Sequence, residues 1–167
     1  MKIVAVRGDI TQVDVDAVIN PGEARSAEMG GGPARWADGL VARAGLEVES
    51  EATARGPIHV GEAMLTTGGR LRCKYVIHAP VGRNAEVLDP DDPEGVKRST
   101  LAALRCAAGS RLRSVAIPAS AAGVDATLAL ISALRDFDGE SELEEVFIVG
   151  ENGEIVSAIK KAIGSGN

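Results

Sequence analysis

Three consecutive glycines, Gly30-Gly31-Gly32, are the stretch best suited to holding an anion. Glycine reaches backbone angles closed to other residues and has no side chain to keep a phosphate away from its N–H groups. The triplet follows an apolar run, Asp16-Ala-Val-Ile-Asn20, and precedes Pro33-Ala34-Arg35-Trp36. Proline is favoured at the first helical position, where its missing N–H would be unpaired anyway. A strand, a glycine loop and a helix start together offer free N–H groups and the positive end of a helix dipole, a common phosphate cradle. Glycines also serve ordinary turns, so the triplet alone leaves both readings open.

Other reactive side chains point more weakly. His78 lies in an apolar run and reads as a core or strand-end histidine rather than a base; His59 stands near a turn and reads as solvent-facing. Ser120 lacks the G-x-S-x-G setting of a nucleophile elbow. Asp89, Asp91, Asp92 and Glu94 could recruit a hard cation, but their spacing is not that of an EF-hand, and a solvated acidic loop is the simpler reading. Cys73 and Cys106 lack zinc-site spacing and read as reduced and mostly buried. Trp36 falls on an apolar helix face and reads as core. GxxxxGK[ST] and GxGxxG are both missing, which removes the common nucleotide-fold rivals. No metal and no cofactor are expected.

The elements that must position these groups alternate. Strands are predicted at residues 1–7, 17–20, 61–67, 74–79, 114–118 and 145–149. Helices are predicted from Pro33 to Ala44, at 47–55, from Asp92-Pro93 to about 108, at about 126–136 and at 154–163. Gly45 and Gly56-Pro57 act as stops between them. Strands alternating with helices define an α/β sandwich. In such sheets ligands bind beyond the strand ends, so loops 20–32 and 119–125 are expected to face one cleft.

Composition narrows the partner. A chain of 167 residues with 45% hydrophobic content suits a single domain spanning 1–167 with a sizeable core. A formal charge of -6 argues against a nucleic-acid surface and for a small pocket. No apolar run approaches the roughly 20 residues that span a bilayer, and the N-terminus does not read as a signal sequence. A soluble, cytoplasmic protein without membrane association is expected. Arg outnumbers Lys by 13 to 5, and Asn and Gln are scarce, a balance that leans toward a thermophilic source. Nothing in the sequence fixes the oligomeric state.

Taken in order, Gly8-Asp9-Ile10-Thr11, Val15-Asp-Ala-Val-Ile-Asn20, Gly30-Gly31-Gly32, Val60-Gly-Glu-Ala63 with Thr66, Lys74-Tyr-Val-Ile-His-Ala79, and Val115-Ala-Ile-Pro118 with Gly123-Val124 resemble the macro domain, the ADP-ribose-binding fold. The series spans residues 8 to 124. The resemblance implies a three-layer α/β/α sandwich around a mixed, mostly parallel sheet of about six strands, and a binding module for ADP-ribose or a related adenine nucleotide. Asp9 would accept from the adenine amino group with the Ile10 backbone nearby. A carboxylate accepts from an amine and cannot accept from a guanine O6, although a turn-capping Asp explains Asp9 equally well. Gly30, Gly31, Gly32 and Pro33 would line one diphosphate loop; Ala121, Ala122, Gly123, Val124 and Asp125 would form the other. Asn20 would also touch the ligand, while the amide that contacts the distal ribose in the family falls at the position held here by Glu23.

Departures from the family pattern share a sign. Where hydrolytic relatives carry Asn-Ala-Ala-Asn this chain reads Asn20-Pro21-Gly22-Glu23, and where a catalytic Asp follows the glycines it has Ala34. The second loop, usually Gly-Ile-Tyr or Phe-Gly, reads Gly123-Val124-Asp125-Ala126. Glu23 and Asp125 would place carboxylates near a diphosphate, an unfavourable arrangement by Coulomb's law, and Asp125 would also cap a helix starting at Ala126. The expected diphosphate site is therefore weakened or altered. Two other functions fit the same resemblance. One is hydrolysis of ADP-ribosyl esters or ADP-ribose 1″-phosphate, with Asn20 and Glu23 as candidate catalytic groups and Glu23 a base of raised pKa. The other is an interaction domain that has lost the nucleotide.

Overall fold

The computed structural model describes residues 1–22, 40–82, 92–119, 124–137 and 141–164. Six strands form one sheet: β1 (Lys2–Arg7), β2 (Ala17–Asn20), β3 (Met64–Thr67), β4 (Tyr75–His78), β5 (Ser114–Pro118) and β6 (Glu145–Gly150). Their order across the sheet is β1-β6-β5-β2-β4-β3. Every neighbouring pair is parallel except β3 with β4. The described helices are α1 (Leu40–Ala44), α2 (Leu46–Arg55), α3 (Pro93–Gly109), α4 (Val124–Asp136) and α5 (Gly153–Gly164).

Period-2 alternation in the strands divides the core between two faces. Ile19, Ile77, Ile117 and Ile148 point to one face, where Leu104 of α3, Ile131 of α4 and Ile159 of α5 complete a large apolar cluster. Val18, Val76, Ala116 and Val149 point to the other, covered by Leu40 of α1 together with Val15 and Cys73. This is the expected sandwich, with parallel strands buried on both faces and correspondingly rich in Val and Ile. Cys73 is buried and Cys106 half-buried, both are free thiols, and burial pushes the pKa of each up.

Several boundaries follow from local chemistry. Asp92 caps α3 by accepting from the Gly95 N–H at 2.9 Å, with Pro93 at the first helical position. β3 starts at Met64 rather than at the expected residue 61, because the backbone turns there: Gly61 has φ +93° and the Glu62 N–H bonds to the His59 carbonyl. The edge strand β3 is shielded by α2, whose Glu51 accepts from the Thr67 N–H at 2.9 Å and whose Arg55 donates to the Leu65 carbonyl at 2.7 Å. Those are the strand's outward backbone groups, which an exposed edge would offer to another chain. At the start of β2, Asp16 accepts from the Arg113 N–H at 2.9 Å and pairs with Lys74 at 3.0 Å, tying together the loops that lead into β5 and β4.

Parallel strands bring their C-terminal ends to one edge. The segments leaving β1, β2, β5 and β6 therefore meet there, next to α1.

Candidate functional site

At that edge lies a cleft of about 470 Å³. Its walls come from the turn after β1 (Gly8 to Thr11), from Ile19 near the end of β2, from Pro118 and Ala119 after β5, from Val149 and Glu151 of β6 and its exit, and from Leu40 and Arg43 of α1. This is the place where open α/β sheets bind ligands. The lining is apolar with a few charged groups, as small-molecule sites commonly are. A broader, shallower depression of about 840 Å³ lies where β1 and β6 begin, among Lys2, Arg113 and Glu144. Arg113 pairs there with Glu144 and Lys2 with Glu145, and the depression lies at the opposite end of the strands from the converging loops.

Asp9 is the cleft's principal polar group. Its Oδ1 accepts from the Thr11 N–H at 2.9 Å and from the Thr11 hydroxyl at 2.7 Å, capping a single 3₁₀ turn at Ile10–Gln12. Its Oδ2 pairs with Arg43 Nη1 at 2.6 Å, and that same nitrogen donates to Thr11 Oγ1 at 3.0 Å. The Thr11 hydroxyl and N–H, followed by Arg43, hold the Asp9 carboxyl below its ordinary value of 3.8 against the opposing effect of burial. Turn capping and lining the cleft thus coincide in one residue. A carboxylate has about four lone-pair sites, so these three contacts leave acceptor capacity, and 41% of the side chain remains exposed.

Asn20 ends β2 fully buried, paired in register with His78 of β4. Its amide Nδ2 lies 3.5 Å from His78 Nδ1, and His78 Nε2 lies 2.9 Å from Thr66 Oγ1 on β3. With the amide nitrogen facing the ring, Nδ1 must accept and the ring proton sits on Nε2. The Thr66 hydroxyl then donates a hydrogen bond to the Thr67 carbonyl at 3.2 Å. Burial drives the His78 pKa down to about 4, so the ring is neutral at pH 7. With no exposure and both nitrogens engaged, it is the core histidine that its apolar surroundings predict.

The remaining expected site residues divide. Ile10 lines the cleft. α4 begins at Val124, not at Ala126, so Asp125 is an exposed residue of the helix's first turn rather than the cap ahead of it. A first-turn carboxylate gains from the helix dipole without engaging the N–H groups as a cap would. Glu23, Gly30, Gly31, Gly32, Pro33, Ala34, Trp36, Ala121, Ala122 and Gly123 lie outside the described residues, as do Asp89 and Asp91. His59 is exposed. Sequence reasoning missed Arg43 and Glu151, whose roles depend on which loops meet at the sheet edge; an Arg in the last turn of a helix signals only dipole compensation. Among the described residues no cluster of His, Cys, Asp and Glu is placed to hold a metal ion, and no helix is long and apolar enough to cross a membrane.

The chain belongs to the macro domain family, whose model matches residues 25–129. It is 39% identical over 170 residues to an uncharacterized protein of Aquifex aeolicus, covering 98% of this chain and 99% of that one. An uncharacterized Aeropyrum pernix protein is 41% identical over 125 residues, with 74% of this chain and 62% of the relative covered, so the chain matches only part of that longer protein. Among solved structures, the Trypanosoma brucei macrodomain in complex with ADP-ribose superposes with a TM-score of 0.78 at 21% identity, covering 97% of this chain and 69% of that one. That likeness establishes the fold.

Proposed function

We propose that the protein binds ADP-ribose or a related adenine nucleotide in the cleft at the C-terminal edge of its sheet. The observation that carries this reading is Asp9: a partly exposed carboxylate, kept ionised by Thr11 and Arg43, on the wall of a 470 Å³ cleft. An ionised carboxylate accepts from the adenine amino group and repels the guanine O6 at the same place. Membership of the macro domain family, and the ADP and ADP-ribose complexes of the T. brucei macrodomain, support the choice of ligand.

A carboxylate in the cleft and another in the first turn of α4 support a weakened diphosphate site. Glu151 lines the cleft, and Asp125 is exposed in the first turn of the helix that follows the β5 loop. Each like charge near a diphosphate of about two negative charges opposes binding. Binding is favoured over hydrolysis because Ala34 and Glu23 stand where hydrolytic relatives carry an Asp and an Asn, and His78, buried and engaged with Asn20 and Thr66, is not available as a substitute base. Parallel titrations with ADP and GDP test the base preference: ADP should bind at least tenfold tighter, about 1.4 kcal/mol. Equal affinities would refute the role given to Asp9.

A further inference from the structure

Beside the cleft, and sharing Arg43 and Thr11 with it, lies a second hollow of about 500 Å³. It is lined by three arginines, Arg43, Arg70 and Arg72, together with Thr11, Gln12 and Leu71. We propose that this hollow is a second anion site, taking a phosphate group. Guanidinium is the side chain whose planar fork matches phosphate oxygens two at a time. Three of them around one concavity stand out in a chain whose net charge is -6.

The arginines are held in place by backbone rather than by chance side-chain placement. Arg70 and Arg72 belong to the turn between β3 and β4, which is closed by the Gly68 N–H on the Lys74 carbonyl at 2.8 Å and the Leu71 N–H on the Gly68 carbonyl at 3.0 Å. The Arg70 N–H then donates to the Ala44 carbonyl at 2.8 Å, docking the turn on the C-terminal end of α1, one residue from Arg43. Gly69 makes that docking feasible: it has φ +56°, and a Cβ there would stand 2.2 Å from the Ala44 carbonyl oxygen.

Two acidic groups are described beside the arginines. Asp9 engages Arg43 from the cleft side, and the Glu47 carboxylate lies by Gly45 near Arg70. Arg72 is exposed and forms no ion pair with any described residue. The Arg72 guanidinium, with five N–H groups, is therefore the part of the rim best placed to hold a phosphate.

Inorganic pyrophosphate is a probe that does not depend on what fills the neighbouring cleft. Calorimetric titration of the full chain should show binding in about the millimolar range or tighter, weakening as salt is added. Arg72→Ala should weaken it at least threefold and the double variant Arg70→Ala/Arg72→Ala at least tenfold, while Lys160→Ala, which removes a cation from exposed α5, should leave it unchanged. Circular dichroism on the same samples checks that each variant is folded. No pyrophosphate binding by the wild-type chain, or an equal loss in Lys160→Ala, would overturn the proposal. Repeating the titration with ADP-ribose present distinguishes the two sources of such a phosphate. Additive binding marks a separate anion; mutual exclusion together with the Arg72→Ala loss marks a phosphate reaching over from a ligand in the cleft, whereas mutual exclusion with Arg72→Ala unchanged would place the pyrophosphate in the cleft's own diphosphate site and overturn the proposal.

Discussion

Protonating His78 should destabilise the fold at a pH where the carboxylates are still ionised. Its ordinary pKa of 6.5 falls to about 4 in the folded chain, because the ring is fully enclosed between β2 and β3; Glu51 raises the value slightly and Arg55 lowers it. When the folded pKa is the lower one, the unfolded chain takes up the proton first as pH drops. Stability is then fully present above 6.5 and is lost progressively down to about 4. Over that interval, at about 1.4 kcal/mol per pH unit, the loss amounts to about 3 kcal/mol. This is a large share of the roughly 5–15 kcal/mol that holds a domain together. Asp9, Asp16 and Asp136 have pKa values lowered from 3.8 and Glu51 from 4.5, so their stabilisation begins to fall as pH approaches those ordinary values, at the acid end of the His78 window. Urea denaturation of the wild-type chain and His78→Gln between pH 7.5 and 4.5 separates the His78 contribution from that of the carboxylates. The unfolding free energy should fall by about 2–3 kcal/mol across that range, and His78→Gln should flatten the slope. A flat wild-type profile, or an unchanged slope in the variant, would refute the enclosed neutral imidazole.

Gly69→Ala should cost about 3 kcal/mol or more, because it adds backbone strain to a direct clash with the Ala44 carbonyl; thermal unfolding measures it, and a loss below 1 kcal/mol would show that the turn relaxes easily. Asp92→Ala removes the α3 cap and should cost about 1 kcal/mol in the same assay. Asp125→Asn and Glu23→Asn each remove a carboxylate expected near the diphosphate, so each should tighten ADP-ribose binding by about 0.5–2 kcal/mol in calorimetry. Unchanged affinity in both would show that these groups point away from the ligand.

Much of the architecture was legible because it rests on local rules. Asp92-Pro93 announced the start of α3, Gly45 the end of α1, and the apolar runs at 17–20 and 114–118 the central strands. Boundaries drifted where the chain turns without a strong marker: β3 gave up three residues to the turn at Gly61, and α4 gained Val124 and Asp125 at its start. Asp9 and Ile10 could be picked out because a short motif carries them. The ion pair between Asp9 and Arg43, and the chain from Asn20 through His78 to Thr66, could not. Those contacts join residues on separate elements, and their partners are fixed only once the strand order β5-β2-β4-β3 brings them together. The second hollow was hidden for the same reason, since Arg43 and Arg70 become neighbours through a single backbone hydrogen bond to Ala44.

Titration calorimetry of ADP-ribose against the wild-type chain and Asp9→Ala is the most direct test of the central claim, that the cleft beside Asp9 holds an adenine nucleotide. The account predicts measurable wild-type binding that Asp9→Ala weakens by about 1–3 kcal/mol, the cost of removing a polar partner from a bound amine. No heat of binding from the wild-type chain, or equal affinity in the two proteins, would contradict it.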